Sequence, residues 1–329
     1  MLAFVLALAG LEAGARVYWW IRHERSVLHP GQVLEALYPE LKRVELLQPR
    51  RGDGWFNVLV LDGSVFHPDW GEVESSFTQQ LAAKGLRNAR IFNLGEPAHT
   101  SRDSLLKYAA LEDARFDLVV YYNGINDARA NNVPPDLFRS DYSHFSWYAA
   151  VNSVAPYHHN AWLALPYTVR YGEVVTTARL HPARFVPMNE PRDEWTRYGG
   201  SLRGLPAFEQ NLRGVVAIAA DRHDPLMVMT FAFHVPDNYS REAFLQKRLD
   251  YGRHRLPIEI WGRREHVVAA MVAQNDVVRR VAAEYHLPLV DEARLMHRSA
   301  RTFDDPCHLT AEGSAEFVRH MVDAIRPTT

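Results

Sequence analysis

Three short runs of this 329-residue chain end in the same way. "FNVLVLDGS", "RNARIFNLG" and "FDLVVYYNG" are each a stretch of mostly apolar residues stopped by a glycine turn. Between them lie segments with helical spacing. "WGEVESSFTQQLAAKG" closes at Gly85, and "TSRDSLLKYAALEDAR" opens on a helix-start signal at Thr100 or Ser101. Apolar strands alternating with helices define βαβ units, because a parallel sheet has to be covered on both faces. The pattern resumes at "PLMVMTF" and "LPLVD", with the long helical segment "RREHVVAAMVAQNDVVRRVAAEYH" between them. Five strands with covering helices predict a three-layer α/β/α sandwich around a parallel five-stranded sheet. Two interruptions, at about 129–205 and 234–262, read as insertions above one end of that sheet.

A hydrophobic content of 47% is enough for a substantial core. The formal net charge is −2 with both signs interspersed, and there is no basic stripe, so no nucleic-acid partner is expected. The single cysteine excludes an internal disulfide framework and a cysteine-based zinc site.

The N-terminus is a separate element. "MLAFVLALAG" is too short to span a bilayer alone. With Glu12 and Arg16 tolerated as an (i, i+4) pair, Met1–Ile21 becomes a helix of about 31 Å, flanked by Trp19, Trp20, Arg22 and Arg25. A membrane anchor is favoured over a signal peptide or an amphipathic helix packed on the domain. The expected boundaries are 1–25 for the anchor and 26–329 for the globular domain.

In an open parallel sheet, ligands bind beyond the carboxyl ends of the strands. Asp62-Gly63-Ser64 follows the first strand, Asn93-Leu94-Gly95 the second, and Gly124-Ile125-Asn126-Asp127 the third. Asp305-Pro306-Cys307-His308 lies beyond the last. One edge therefore collects a nucleophile, a base, an acid and oxyanion donors. Singly, each has a plain structural explanation: a turn serine, a turn asparagine, a helix-start aspartate. Their order, each at a strand end, favours a site. No H-E-x-x-H and no second ligand pair accompanies them, so neither a metal nor a cofactor is expected.

"LVLDGSVF", "FNLGEPAHT", "YYNGINDAR" and "DDPCHLT" resemble the four sequence blocks of the SGNH hydrolases, also called the GDSL esterase/lipase family. The resemblance covers scattered parts of about 57–326 and is most specific in G-x-N-D and D-x-x-H. It implies a flavodoxin-like sheet and hydrolysis of carboxylic esters, acyl or acetyl groups on lipid or carbohydrate. It also implies an extracytoplasmic catalytic domain, whereas the basic residues after the apolar run point to a cytoplasmic C-side. It places the nucleophile at Ser64, the acid and base at Asp305 and His308, and the oxyanion donors at the Ser64 N–H, the Gly95 N–H and the Asn126 side chain. The family's Gly-Asp-Ser reads here as Asp62-Gly63-Ser64. An imidazole that takes the serine proton, with its tautomer fixed by an aspartate, is the chemistry such a set supplies. Two alternatives stay open: an O-acyltransferase using the same acyl-enzyme, and a silent binding protein on the same fold. Asp304 competes with Asp305, Cys307 reads as a buried filler, and the aromatic residues Tyr142, Phe145, Trp147, Tyr148, Tyr157 and Trp162 read mainly as a secondary core.

Overall fold

The computed structural model describes residues 1–187 and 191–325. Five parallel strands, β1 (Phe56–Asp62), β2 (Ala89–Asn93), β3 (Leu118–Tyr122), β4 (Leu226–Met229) and β5 (Leu289–Val290), lie in the order β2-β1-β3-β4-β5. Twelve α-helices accompany them among the described residues: α1 (Leu2–His23), α2 (Leu41–Leu47), α3 (Val73–Ala83), α4 (Ser101–Ala110), α5 (Ile125–Ala128), α6 (Ser146–Val154), α7 (Leu165–Leu180), α8 (Leu205–Arg222), α9 (Arg241–Leu245), α10 (Arg264–Glu284), α11 (Glu292–Leu295) and α12 (Ala311–Ala324).

Alternation along β1 divides the core. Val58 and Val60 pack with α3 and α12 through Phe77, Leu81, Phe317 and Val318. Leu59 and Leu61 face the other way, onto α4 and α8 through Leu106, Phe208, Leu212 and Val215. Successive strand residues point to opposite faces, so both sides of the strand need apolar cover. This is the expected three-layer sandwich.

Register then sets the working edge. Asp62 at the end of β1 sits beside Tyr122 at the end of β3, and Val60 beside Asn93 at the end of β2. The loops after these strands therefore open at one level, with the β1 loop between the other two.

The helix starts are chemically specified. Thr100 caps α4 with a reciprocal capping box to Asp103, and the Thr310 hydroxyl accepts the Gly313 N–H at the start of α12. α12 lies along α3, tied by Gln80 to the Ala315 carbonyl (3.0 Å) and by Lys84 to the Ile325 carbonyl (2.6 Å). That contact carries the 303–309 loop over the end of β1.

α1 does not divide from the domain at residue 25. Residues 1–11 are exposed all round, yet Trp19 is only 1% exposed. Its indole N–H donates to Thr168 (2.8 Å), and its ring meets Tyr167 and Tyr171 of α7. Glu12 pairs with Arg16 (2.6 Å) and also accepts the N–H groups of Ala164 and Leu165, both at 2.8 Å. It therefore caps α7, where unsatisfied N–H groups and the helix dipole favour a carboxylate. Arg25 pairs with buried Glu35. The charged pair inside the apolar helix is a docking device for the second half of α1, and only residues 1–11 stand clear of the body.

Deleting residues 1–11 is expected to change Tm by no more than about 2 °C, since those side chains contact little. Deleting residues 1–25 is expected to cost about 3–5 kcal/mol through loss of the buried Trp19. Thermal melts of both truncations beside the full chain in detergent check this. Equal Tm values for the two would place the boundary at 25 after all.

Candidate active site

The site starts from a close approach of backbone. A Cβ on Gly63 would lie 2.9 Å from Asn126 Nδ2 and 3.1 Å from the His99 carbonyl. Only glycine lets the β1 loop nest against the loops after β2 and β3. This accounts for the order Asp62-Gly63. Asp62 is displaced by one residue relative to the family pattern, but it still organises the turn, its Oδ2 accepting the Phe66 N–H at 2.7 Å. Burial pushes its carboxyl up to about 7, against the backbone N–H groups of Phe66 and Gly63 that favour the anion.

Ser64 then faces His308. Its Oγ lies 2.8 Å from His308 Nε2, and His308 Nδ1 lies 2.8 Å from Asp305 Oδ2. Asp305 is fully buried and also accepts the N–H groups of Cys307 (3.0 Å), His308 (2.9 Å) and Leu256 (3.2 Å). The carboxylate thus holds both the fold of its own loop and the imbalance of protons on the imidazole: Nδ1 carries the hydrogen, and Nε2 is left to accept from serine. Trp70 stacks on the imidazole at 4.3 Å and 24°.

The two neighbours of this pair are accounted for. Asp304 turns to Arg253 and Arg255, each at 3.5 Å, while its N–H closes the loop on the His308 carbonyl at 2.8 Å. Cys307 is buried with Sγ 3.5 Å from His308 Nδ1, and burial pushes its thiol well up. Ligand-type atoms of Asp305, Cys307 and His308 converge within 4.8 Å. The Asp305 carboxylate pairs with His308 Nδ1, and His308 Nε2 with Ser64 Oγ.

Asn126 opens α5. Its Oδ1 accepts the Trp261 indole N–H, and its Nδ2 donates to the His99 carbonyl, both at 2.9 Å. Since an indole only donates and a carbonyl only accepts, the amide orientation is fixed, leaving the second Nδ2 hydrogen free. Asp127 points elsewhere, accepting the Ser101 N–H and hydroxyl and the Tyr142 hydroxyl.

Gly95 does not fill its expected place. Its N–H donates to Asn93 Oδ1 at 2.8 Å, and a Cβ there would strike the Gly63 carbonyl at 2.8 Å. It packs the loops together and its donor is spent. Ala98, three residues on, lines the pocket with φ 68°, a left-handed conformation uncommon for alanine. Among the described residues, the N–H groups of Ser64 and Ala98 have no acceptor.

The pocket over Ser64 and His308 has a volume of about 600 Å³, with Trp70, Ala98, Asn126, Arg129, Leu256 and Trp261 in its lining. The aromatic residues of the first insertion are not in it. Tyr142, Phe145 and Tyr148 form a separate small core, and Trp162 is 88% exposed. The aromatic walls come from Trp70 and from Trp261, which belongs to the second insertion.

No protein-family model and no curated protein matches the chain. Among solved structures it is similar to an acetyl xylan esterase (13% identical, 82% of this chain and 100% of that one, TM-score 0.44). It is also similar to a lipase/acylhydrolase from Enterococcus faecalis (15% identical, 83% and 98%, TM-score 0.41). A third is an acetylxylan esterase from Geobacillus stearothermophilus (16% identical, 83% and 97%, TM-score 0.42).

Asp62 gives a pH test. An unfolded aspartate titrates near 3.8 and the folded one at about 7, so between these values the folded protein retains a proton that the unfolded chain has lost. Its contribution to stability is complete below about 3.8 and is lost as pH rises through about 7. Asp62→Asn keeps an acceptor for the Phe66 N–H and removes the titration. The difference in Tm, mutant minus wild type, is expected to grow between pH 4 and pH 8. A difference that stays constant across that range would mean that Asp62 does not titrate there.

Proposed function

We propose that the chain is a serine esterase of the SGNH type. One observation carries the reading: the unbroken relay from Asp305 through His308 to Ser64, with 2.8 Å at each step, at the mouth of a pocket. His308 Nε2 takes the proton as Ser64 Oγ attacks the ester carbonyl. The oxyanion that forms is met by the Ser64 N–H, the free hydrogen of Asn126 Nδ2 and the Ala98 N–H, which stands in for Gly95. His308 then returns the proton to the leaving alcohol. Water, deprotonated by the same imidazole, attacks the acyl-enzyme and releases acid. The Asp305 carboxylate supports the imidazolium in both halves. Nothing in this cycle calls on a cofactor. Acyl or acetyl esters of carbohydrate or lipid are the substrate class.

We also infer that residues 1–11 attach the protein to a membrane. The first half of α1 is apolar and has no protein cover on any face, while its second half is docked on the body. Full-length protein is expected in the membrane fraction, and protein lacking residues 1–11 in the soluble one.

A fluorophosphonate probe is expected to label Ser64, and p-nitrophenyl esters of increasing chain length are expected to be turned over. Ser64→Ala and His308→Ala should abolish both. Asn126→Ala should lower kcat by about 10²–10³, and Asp305→Asn by up to about 10⁴. Product analysis with and without a sugar acceptor separates hydrolysis from acyl transfer. Folded protein that neither labels nor turns over an ester would leave the silent binding protein as the reading.

A further inference from the structure

Among the described residues three arginines are buried: Arg25, Arg129 and Arg222. Arg25 pairs with Glu35, and Arg222 donates to the carbonyls of Tyr108 and Ala109. Arg129 has no such partner. It is 6% exposed, its Nε and Nη1 are buried without an acceptor, and no carboxylate among the described residues pairs with it. A guanidinium has five donors and cannot lose its charge under ordinary conditions, so burying it unpaired is unfavourable unless something else supplies the acceptor.

Its location says where that acceptor comes from. Arg129 lines the pocket that holds Ser64 and His308. It begins the short 3₁₀ turn (Arg129–Asn131) that continues α5, one turn after Asn126, and residues three apart share a face. The Trp261 ring lies 5.7 Å from its guanidinium carbon and fixes the side chain from one side, while offering no hydrogen-bond acceptor. The described residues that line the pocket include no carboxylate. Burial lowers its pKa to about 10, so the cation persists at neutral pH.

We propose that Arg129 receives an anionic group of the substrate, so that the ester cleaved at Ser64 belongs to a molecule carrying a carboxylate or a phosphate within the same pocket. This rests on Ser64 being the nucleophile and adds a charge requirement to it. The anion replaces the missing acceptors, and the apolar walls of Trp70 and Trp261 strengthen its attraction by excluding water.

The test uses matched pairs of esters differing only in charge. p-Nitrophenyl acetate is paired with p-nitrophenyl hemisuccinate for charge on the acyl side. Acetylated glucose is paired with acetylated glucuronate, and acetylated glycerol with acetylated glycerol phosphate, for charge on the alcohol side. Wild type is expected to favour at least one anionic member by about 10–100-fold in kcat/KM, the worth of one or two hydrogen bonds to a charged group. Which pair responds identifies the source of the anion. Arg129→Gln is expected to collapse that ratio, mainly through KM, and Arg129→Lys to restore part of it. A purely structural role for Arg129 would lower both members of a pair equally. Inorganic phosphate or succinate is expected to raise the Tm of Ser64→Ala and to do so less in Ser64→Ala/Arg129→Gln, a readout independent of catalysis. If Arg129→Gln does not fold, competitive inhibition of the neutral ester by phosphate or succinate in wild type decides. Neutral esters favoured in all three pairs, or ratios unmoved by Arg129→Gln, overturn the proposal while the esterase reading stands. Absence of fluorophosphonate labelling overturns the esterase reading, and the Tm arm then decides on the anion alone.

Discussion

The hydrogen bond between Ser64 and His308 joins residues 244 apart in sequence, and everything else at the edge of the sheet serves to make that meeting possible. Neither partner can reach the other by local geometry. Ser64 is held by the end of β1, whose position is fixed by register with strands on both sides. His308 is held by a loop that Asp305 folds around its own carboxylate, using two of the loop's N–H groups before it touches the imidazole. The packing of α12 on α3 carries the second onto the first. One buried carboxylate is thus both a local fold determinant and the orienting group of the relay. Replacing it disturbs two levels of structure at once.

The electrostatics of the edge are arranged by exclusion. Three further carboxylates lie close in sequence to Ser64, Asn126 and Asp305, yet only Asp305 pairs with the imidazole. Asp62 is turned down to Phe66, Asp127 to Ser101 and Tyr142, and Asp304 out to Arg253 and Arg255. The same sorting leaves Arg129 facing the pocket with no protein anion among the described residues.

How far this was legible in the sequence depends on the range of the interaction. Strand ends and their glycine turns are local, so the sheet, its five strands and the placement of Ser64, Asn126, Asp305 and His308 on one edge followed from pattern and order. The Gly95 N–H is taken up by Asn93, two residues away, a turn that glycine and asparagine spell only ambiguously. Ala98 carried no signal, since a left-handed φ at alanine is imposed by the surrounding loops. Trp261 fixes Asn126 across 135 residues, a contact with no local signature. Arg129 stood in plain view in "GINDAR", one helical turn after Asn126, but that no described residue pairs with it exists only in three dimensions. At the N-terminus, Glu12 and Arg16 were read as a pair within a spanning helix. Their spacing was right and their surroundings were not, because the carboxylate caps a helix more than 150 residues away.

The two insertions make different contacts, and the first also reaches the pocket, through Arg129 and Pro187. The segment from 129 to 205 contains α7, the seat of α1, so it positions the apolar residues 1–11. The segment from 234 to 262 supplies Leu256 and Trp261, the walls that face Ser64. Arg129 stands at the point where the first insertion leaves the sheet, and its ring partner Trp261 comes from the second. A change in the α7 face would therefore act first on the docking of α1. A change at Trp261 would act on Asn126 through the indole hydrogen bond and on Arg129 through the ring face, so one side chain positions both.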